Sequence, residues 1–296
     1  MSASTAFPFG TPDDVLFSLL RPQRLTAVVD VGANPIDGDA PYKPMLGRRL
    51  CTITGFEPQP DGLAFLNARK GELETYLPYV IGDGAPGTLH VAASPGMTSL
   101  FEPNLAVLNW FHGFPAWAVV KEKWPVQTRR LDDLSEVAAL DMLKIDVQGA
   151  ELSVFKGARE HLKRAVAIHT EVCFLSLYKD QPLFGDIDAE LRGLGMIPHR
   201  IDHINQRTIL PTYSAANPNS SVNQVLFADI VYVRDFTKGE MMDDEQLKHL
   251  AIVAHHCYGS FDLAVHCLYR LAERKAVAPE AVEQFMNSMK PTALAV

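Results

Sequence analysis

Short apolar runs rich in β-branched residues alternate with helix-like stretches along most of the chain. Five of these runs each predict a fully buried strand: residues 26–32, 52–58, 76–82, 141–147 and 165–172. Helical patterns fit between several of them: residues 61–70, 151–162 and 184–194. This alternation indicates an α/β fold with a parallel sheet, helices on both faces and right-handed connections.

Two further runs, residues 197–211 and 224–235, predict a closing antiparallel hairpin around a polar loop at residues 213–223. Residues 84–130 are rich in glycine and proline and follow no clear rhythm. Within them we expect a β-turn-β piece at residues 88–92. The aromatic segment around Trp110 is read either as packing on the core or as a lid over a site.

The composition changes near Thr237, where apolar residues begin to recur at helical spacing. Gly259 separates two predicted helices, and Pro279 stands at the start of a third. We therefore divide the chain into a domain at residues 1–236 and a small helical extension at residues 237–296. The extension offers a surface for a protein partner or for a second copy of the chain.

Charge and cysteine content exclude several classes of protein. Lys and Arg total 27 against 35 Asp and Glu, a net charge of −8, which argues against nucleic acid and anionic membranes as partners. The only apolar run near the start, residues 15–20, is too short to span a bilayer. Four cysteines without a CxxC pair suit a reducing compartment. We expect a cytoplasmic protein.

Polar residues at the ends of the first two strands predict a ligand site, because ligands of open α/β sheets bind beyond the carboxyl ends of the strands. The first strand ends in Asp30, Gly32, Ala33 and Asn34, and the second is followed by Glu57. A carboxylate at Glu57 suits the two hydroxyls of a ribose. The dinucleotide fingerprint G-x-G-x-x-G is absent, which disfavours NAD and FAD and leaves S-adenosylmethionine as the best candidate.

Four segments in order, VDVGAN, FEPQP, KIDVQGAE and HTEV, resemble the FkbM family of S-adenosylmethionine-dependent methyltransferases. The resemblance runs from about residue 26 to 233. It implies a Rossmann-like, seven-stranded class I methyltransferase fold with sheet order 3-2-1-4-5-7-6 and an antiparallel seventh strand. The cofactor-binding residues that it implies are Asp30, Gly32, Ala33, Asn34, Glu57 and, facing adenine, Asp83. The chain departs from the family at Pro35 and in a late Gly38, which lengthen the loop after the first strand.

Methyl transfer to a hydroxyl is helped by a base that removes the proton. Asp146 ends the fourth predicted strand, and His169 and Glu171 end the fifth, so these three are the candidate catalytic residues. Asp146 and Glu171 could also supply oxygen ligands of the kind that Mg²⁺ prefers, which leaves a divalent metal as an alternative; two carboxylates are too few to establish such a site, and no metal is expected.

Each candidate residue also has a structural interpretation. Asp83 stands in a Gly-Asp-Gly turn, where aspartate is favoured for bonding to its own backbone. Glu57 before a proline is also consistent with a solvated loop acid, and His169 with a hydrogen-bonded structural histidine. Asp146 has the strongest functional case, because a charge that follows a buried strand is costly without a partner.

We therefore expect a cytoplasmic S-adenosylmethionine-dependent methyltransferase. Its acceptor is a hydroxyl of a sugar, another small molecule or a surface-polymer precursor, so its partner is a small-molecule or glycan substrate. A non-catalytic adaptor that keeps the fold and recruits a partner through the helical extension is the alternative. An NAD-dependent oxidoreductase is a third, disfavoured by the missing glycine fingerprint.

Overall fold

The computed structural model describes residues 13–34, 38–212, 214, 216–217 and 222–289. The lengthened loop after Asn34 and the polar loop at residues 213–223 both include residues that lie outside this part of the chain. The strands are β1 (Thr26–Val31), β2 (Cys51–Phe56), β3 (Glu74–Leu77), β4 (Pro86–Ala92), β5 (Val120–Gln127), β6 (Met142–Ile145), β7 (Ala167–Cys173), β8 (Met196–Arg207) and β9 (Gln224–Arg234).

Helices flank the sheet on both sides and form the C-terminal segment. They are α1 (Val15–Leu20), α2 (Lys43–Gly47), α3 (Pro60–Arg69), α4 (Leu105–Leu108), α5 (Phe114–Trp117), α6 (Glu151–Lys156), α7 (Arg159–Leu162), α8 (Phe184–Gly193), α9 (Asp244–Tyr258), α10 (Phe261–Glu273) and α11 (Ala281–Ser288). No helix of the described residues is both long and apolar enough to cross a membrane.

Seven strands form one sheet in the order β3-β2-β1-β6-β7-β9-β8. Strands β1, β2, β3, β6 and β7 pair in parallel, and β9 is antiparallel to both β7 and β8. Numbered within the sheet alone, this is the order 3-2-1-4-5-7-6 with an antiparallel seventh strand. The predicted fold class is confirmed.

Three local predictions are corrected by the structure. The third strand is shorter and earlier than residues 76–82, because Pro78 has no N–H to donate to the ladder. The helix at residues 151–162 is broken at Gly157, where a Cβ would lie 2.0 Å from the carbonyl oxygen of Gly82. Residues 88–92 belong to one strand, β4, whose antiparallel partner β5 lies far along the chain and is mostly polar.

Alternation along the strands gives the sheet one largely apolar face and one divided face. Val29, Leu143 and Ile168 point to the first, where they pack with residues of α6 and α8. On the other face, apolar residues such as Val28 and Met142 lie towards the amino ends of the strands. Polar residues occupy the same face towards the carboxyl ends: Asp30, Lys144, His169, Glu171 and Asp229.

Helices α9 and α10 cover the apolar half of this second face. Leu250 and Leu268 are fully buried in one cluster with Val28 and Met142 of the sheet. In the described part of the connection between β1 and β2 there is one helix, the five-residue α2, so the C-terminal helices supply most of the cover of this face. The division of the chain at residues 236 and 237 stays a prediction.

Candidate functional site

Two adjoining cavities open at the carboxyl ends of the central strands. The cleft, of about 710 Å³ including its solvent-open part, is lined among others by Gly32, Glu57, Tyr79 and Ser99. The polar cavity, of about 2710 Å³ including its solvent-open part, is lined among others by Asp30, Lys144, His169, Glu171 and Asp229. The residues that line both are Asn34, Gly96, Asp146 and Gln148.

Gly32 makes a close backbone turn at the end of β1. Its φ is +80°, and a Cβ built there would lie 2.0 Å from the carbonyl oxygen of Asp146. The N–H groups of Gly32 and Ala33 both donate to the carbonyl oxygen of Phe56, at 3.0 and 3.1 Å. Only glycine fits this turn without displacing the backbone after β6. Asn34 follows directly and lines both cavities.

Glu57 lies across the cleft from this turn, as its position one strand along predicts. It is 2% exposed, and its Oε1 accepts a hydrogen bond from the N–H of Gln59 at 2.7 Å. The N–H of Asn34 also donates to the carboxylate. Burial outweighs these two bonds and raises the pKa of Glu57 to about 6. This is a held, buried carboxylate, which is unlike a solvated loop acid.

Asp30 and Lys144 form a buried ion pair behind the glycine turn. The Lys144 Nζ lies 3.5 Å from Asp30 Oδ1 and donates to the carbonyl oxygen of Gly32 at 3.2 Å. The hydroxyl of Tyr42 donates to Asp30 Oδ2 at 2.6 Å. Burial alone would lower the pKa of Lys144, but the carboxylates of Asp30, Asp146 and Asp229 outweigh it and raise that pKa. Lys144 therefore ties β1, β6 and the turn together as a cation.

Asp146 stands at the junction of the two cavities and is oriented by Gln148. The Nε2 of Gln148 donates to Asp146 Oδ1 at 2.7 Å, while its Oε1 accepts from the Tyr178 hydroxyl at 3.1 Å. The Ser99 hydroxyl donates to the Gln148 carbonyl oxygen at 2.7 Å. Gln148 has a φ of +55°, a conformation that costs a non-glycine residue about 1–3 kcal/mol. These three bonds hold Gln148 in this conformation, and Asp146 with it.

His169 lines the polar cavity from β7 and packs against the C-terminal helices. Its ring stacks on Tyr258 of α9 with centroids 6.0 Å apart, and its Nδ1 lies 3.3 Å from the Tyr258 hydroxyl. Burial lowers the pKa of His169 to about 4, so the imidazole is neutral at pH 7. Its contact with Tyr258 gives it a structural partner as well as a place in the cavity.

Three carboxylates converge beneath the junction. One oxygen from each of Asp146, Glu151 and Glu171 lies within 4.8 Å of the others. Glu151 Oε1 accepts from the N–H groups of Val147 and Gly149, at 3.0 and 3.2 Å, and burial raises its pKa to about 7. Glu151 thus joins the two carboxylates that the sequence had singled out as oxygen ligands. The expectation of no metal stays a prediction.

Asp83 is not brought together with the other predicted cofactor residues. It is exposed and is absent from the lining of both described cavities. Its Oδ1 accepts from the N–H of Ala85 at 3.0 Å, which is the local turn bonding that favours aspartate in such positions. The segment just before it, Tyr79 to Ile81, lines the cleft instead.

Lys144 and Asp229 are the main site residues that sequence reasoning did not single out. Each is an ionisable residue inside an apolar strand, LKIDV in β6 and FADIVYV in β9. A charge in such a run is costly without a partner or a cavity, and that signal was available for both. Sequence reasoning applied it only to Asp146.

The family model of the methyltransferase FkbM domain matches residues 30–198. The 2-O-methyltransferase NoeI of Sinorhizobium fredii (strain NBRC 101917 / NGR234) is 28% identical over 170 residues, which cover 54% of this chain and 69% of NoeI.

Two solved methyltransferase structures also align with the chain. Precorrin-6y C5,15-methyltransferase of Geobacter metallireducens GS-15 is 14% identical, with a TM-score of 0.34 over 74% of this chain and 86% of that one. Human methyltransferase-like protein 13, in complex with SAH, is 12% identical, with a TM-score of 0.35 over 82% of this chain and 86% of that one.

Proposed function

Because the chain belongs to the methyltransferase FkbM domain family, we propose that it is an S-adenosylmethionine-dependent O-methyltransferase that acts on a sugar hydroxyl. The assignment of the cofactor rests on the buried carboxylate of Glu57, which lines the same cleft as the Gly32 turn. The assignment of the acceptor rests on the neighbouring polar cavity, which meets the cleft at Asp146. The printed activity of NoeI, a 2-O-methyltransferase, supports transfer to oxygen.

The residues of the cleft fit the proposed cofactor. Ionised Glu57 is an acceptor for both ribose hydroxyls, and the missing side chain at Gly32 leaves room for the methionine portion to approach the backbone. Tyr79 and Ile81 give the cleft an apolar wall for the adenine. When bound, the cofactor supplies a sulfonium methyl group already activated for transfer. The protein then has to align the acceptor and exclude water.

Asp146 is the proposed general base among the three candidates. Asp146 lines both cavities, whereas His169 and Glu171 line only the polar cavity. A base at that junction lies between the cofactor cleft and the acceptor, where the hydroxyl proton must be removed. The hydrogen bond from Gln148 fixes the carboxylate in place. His169 lines only the polar cavity and its ring stacks on Tyr258, so it is assigned to shaping that cavity.

Labelled methyl transfer tests this assignment. Purified protein is incubated with methyl-labelled S-adenosylmethionine and a panel of oligosaccharides and small-molecule extracts, and the products are identified by mass spectrometry. We expect transfer to a sugar oxygen, and a loss of about 10²-fold or more in Asp146→Asn with cofactor binding retained. Transfer to nitrogen or carbon, or full activity in Asp146→Asn, would contradict the proposal.

Affinity for the product S-adenosylhomocysteine is expected to fall below about pH 6. Burial raises the pKa of Glu57 to about 6, and the ionised carboxylate is the form that accepts two hydroxyl hydrogen bonds. The affinity is therefore highest above this pKa and falls as Glu57 takes up a proton. Calorimetric titrations between about pH 5 and pH 8 measure the effect. The Glu57→Gln variant has no carboxylate to titrate and should show a flatter profile; equal profiles would refute the assignment.

The adaptor alternative depends on a free helical extension. Helices α9 and α10 bury their apolar positions against the sheet, in the same cluster as Val28 and Met142. Those positions are therefore not available to a partner. No contact among the described residues favours an adaptor over an enzyme.

A further inference from the structure

We propose that the polar cavity selects an uncharged sugar ring over acidic acceptors, and that Asp229 of β9 is the residue that enforces this selection. The inference rests on the proposed function and names the class of acceptor for the same site. It is carried by the position of Asp229, by its lack of a partner and by the charges around it.

The strand register sets Asp229 in a row of polar side chains. Glu171 of β7 is its neighbour on one side, and His203 of β8 is its neighbour on the other. Directly opposed residues of adjacent strands point to the same face of a sheet. The row therefore runs across the floor of the polar cavity, next to Asp146, and all four residues line it.

Asp229 makes no hydrogen bond and no ion pair with any residue that the structure describes. It is half-buried, and burial together with the charge of Asp146 raises its pKa to about 6. A carboxylate removed from water is normally satisfied by donors. The hydroxyls of a sugar that enters the cavity are donors of the required kind, and Asp229 faces the space in which they would lie.

The charges near Asp229 are unfavourable for an anion. Asp146 and Glu171 are close on the same side of the cavity, and the cation nearest to them, Lys144, is already paired with Asp30. Asp202 at the rim is neutralised by Arg200 at 2.5 Å. A carboxylate or phosphate on the acceptor would therefore meet like charges in a partly desolvated site, which disfavours its binding.

Two aromatic side chains complete the proposed sugar-binding cavity. Trp117 and Phe227 line it beside the polar row. Their flat rings suit the C–H face of a pyranose, while carboxylates bind its hydroxyls. Arg207 also lines the cavity, but its guanidinium lies over the Phe114 ring, 5.7 Å from the centroid, and donates to the carbonyl oxygen of Gln206 at 2.9 Å. Arg207 is one of five Lys and Arg residues that line the cavity, with Lys43, Arg69, Lys70 and Lys144, and the Arg207→Gln variant tests its share in any binding of an anion.

The test compares neutral sugars with acidic counterparts of the same ring. The probes are p-nitrophenyl glucoside, galactoside and mannoside, their uronides, and the corresponding 6-phosphates, each assayed with methyl-labelled S-adenosylmethionine. For at least one ring we expect the neutral member to have a kcat/KM about tenfold or more above both charged members. A preference for a charged member would overturn the proposal. Loss of that preference in Arg207→Gln would then assign the binding of the anion to Arg207.

Variants assign the selection to Asp229. Asp229→Asn keeps the shape and one acceptor oxygen, replaces the other oxygen by an amide donor and removes the charge, so the ratio of kcat/KM between neutral and charged members should narrow by about tenfold. Its melting temperature should not fall, because no ion pair is lost. Asp83→Asn, which removes the same charge from an exposed turn outside both cavities, is the matched control and should leave the ratio unchanged. An unchanged ratio in Asp229→Asn would refute its role.

Binding of S-adenosylhomocysteine, measured on the same preparations, separates two failures. If the protein binds this product but methylates none of the probes, the sugar class is wrong while the methyltransferase assignment stands. If it neither binds the product nor transfers methyl groups to any acceptor, the proposed function itself fails.

Discussion

Gly32→Ala is expected to abolish measurable binding of S-adenosylhomocysteine and to lower the free energy of unfolding by about 2–5 kcal/mol. The new Cβ would lie 2.0 Å from the Asp146 carbonyl oxygen, and alanine is strained at the φ of +80° found there. Both obstacles are backbone features, so no side-chain rotation relieves them. The backbone must move, and it connects the cleft to the proposed base.

Urea unfolding and calorimetric titration measure these two effects. Gly193→Ala is the matched control, because nothing lies within 4 Å of a Cβ built at Gly193 in α8 and its φ is ordinary. This control should bind like the wild type and unfold at a similar urea concentration. If Gly32→Ala behaved like the control, the close turn would not be what shapes the cleft.

Lys144→Met is expected to lower the free energy of unfolding by about 3–5 kcal/mol. Methionine matches the length of the lysine stem, but it leaves the Asp30 carboxylate, which is 1% exposed, without a cation. It also removes the hydrogen bond to the Gly32 carbonyl oxygen, so binding of S-adenosylhomocysteine should weaken as well. The double variant Asp30→Asn/Lys144→Met removes the unpaired charge and should recover most of the stability.

The pH dependence of Lys144→Met gives a second readout with a defined sign. Without Lys144, burial leaves the pKa of Asp30 above its unfolded value, so the folded state binds more protons than the unfolded state. The variant should therefore regain stability as the pH falls towards the acidic range, and lose it as the pH rises. A single variant as stable as the double variant at neutral pH would show that the ion pair does not hold β1 and β6 together.

The fold was predictable because most strands of the main sheet coincide with apolar runs in the sequence. Five of the seven sheet strands are buried on both faces or nearly so, and α3 and α8 are connecting helices of ten residues each. Strand β5 was missed because five of its eight residues are exposed and three consecutive ones are charged, which hides the pattern of a strand. The cover that α9 gives to the sheet was also missed, because helical periodicity predicts a buried stripe without naming what buries it.

Sequence reasoning found site residues near the carboxyl ends of β1, β2, β6 and β7, and it missed two ionisable residues inside strands. Gly32 and Glu57 follow β1 and β2 directly, and parallel strands bring such positions together. Asp83 also follows a predicted strand, but the chain turns early, and its carboxylate bonds to its own turn. The place of Lys144 and Asp229 in the site depends on which residues lie opposite them in the sheet, and the strand register shows those neighbours.

A calorimetric titration of S-adenosylhomocysteine into the wild type and into Glu57→Ala tests the central assignment most directly. We predict one site per chain in the wild type and affinity about 10- to 100-fold weaker in the variant, since hydrogen bonds to a charged acceptor are lost. Absence of binding to the folded wild type, or equal affinity in both proteins, would contradict the assignment of the cleft.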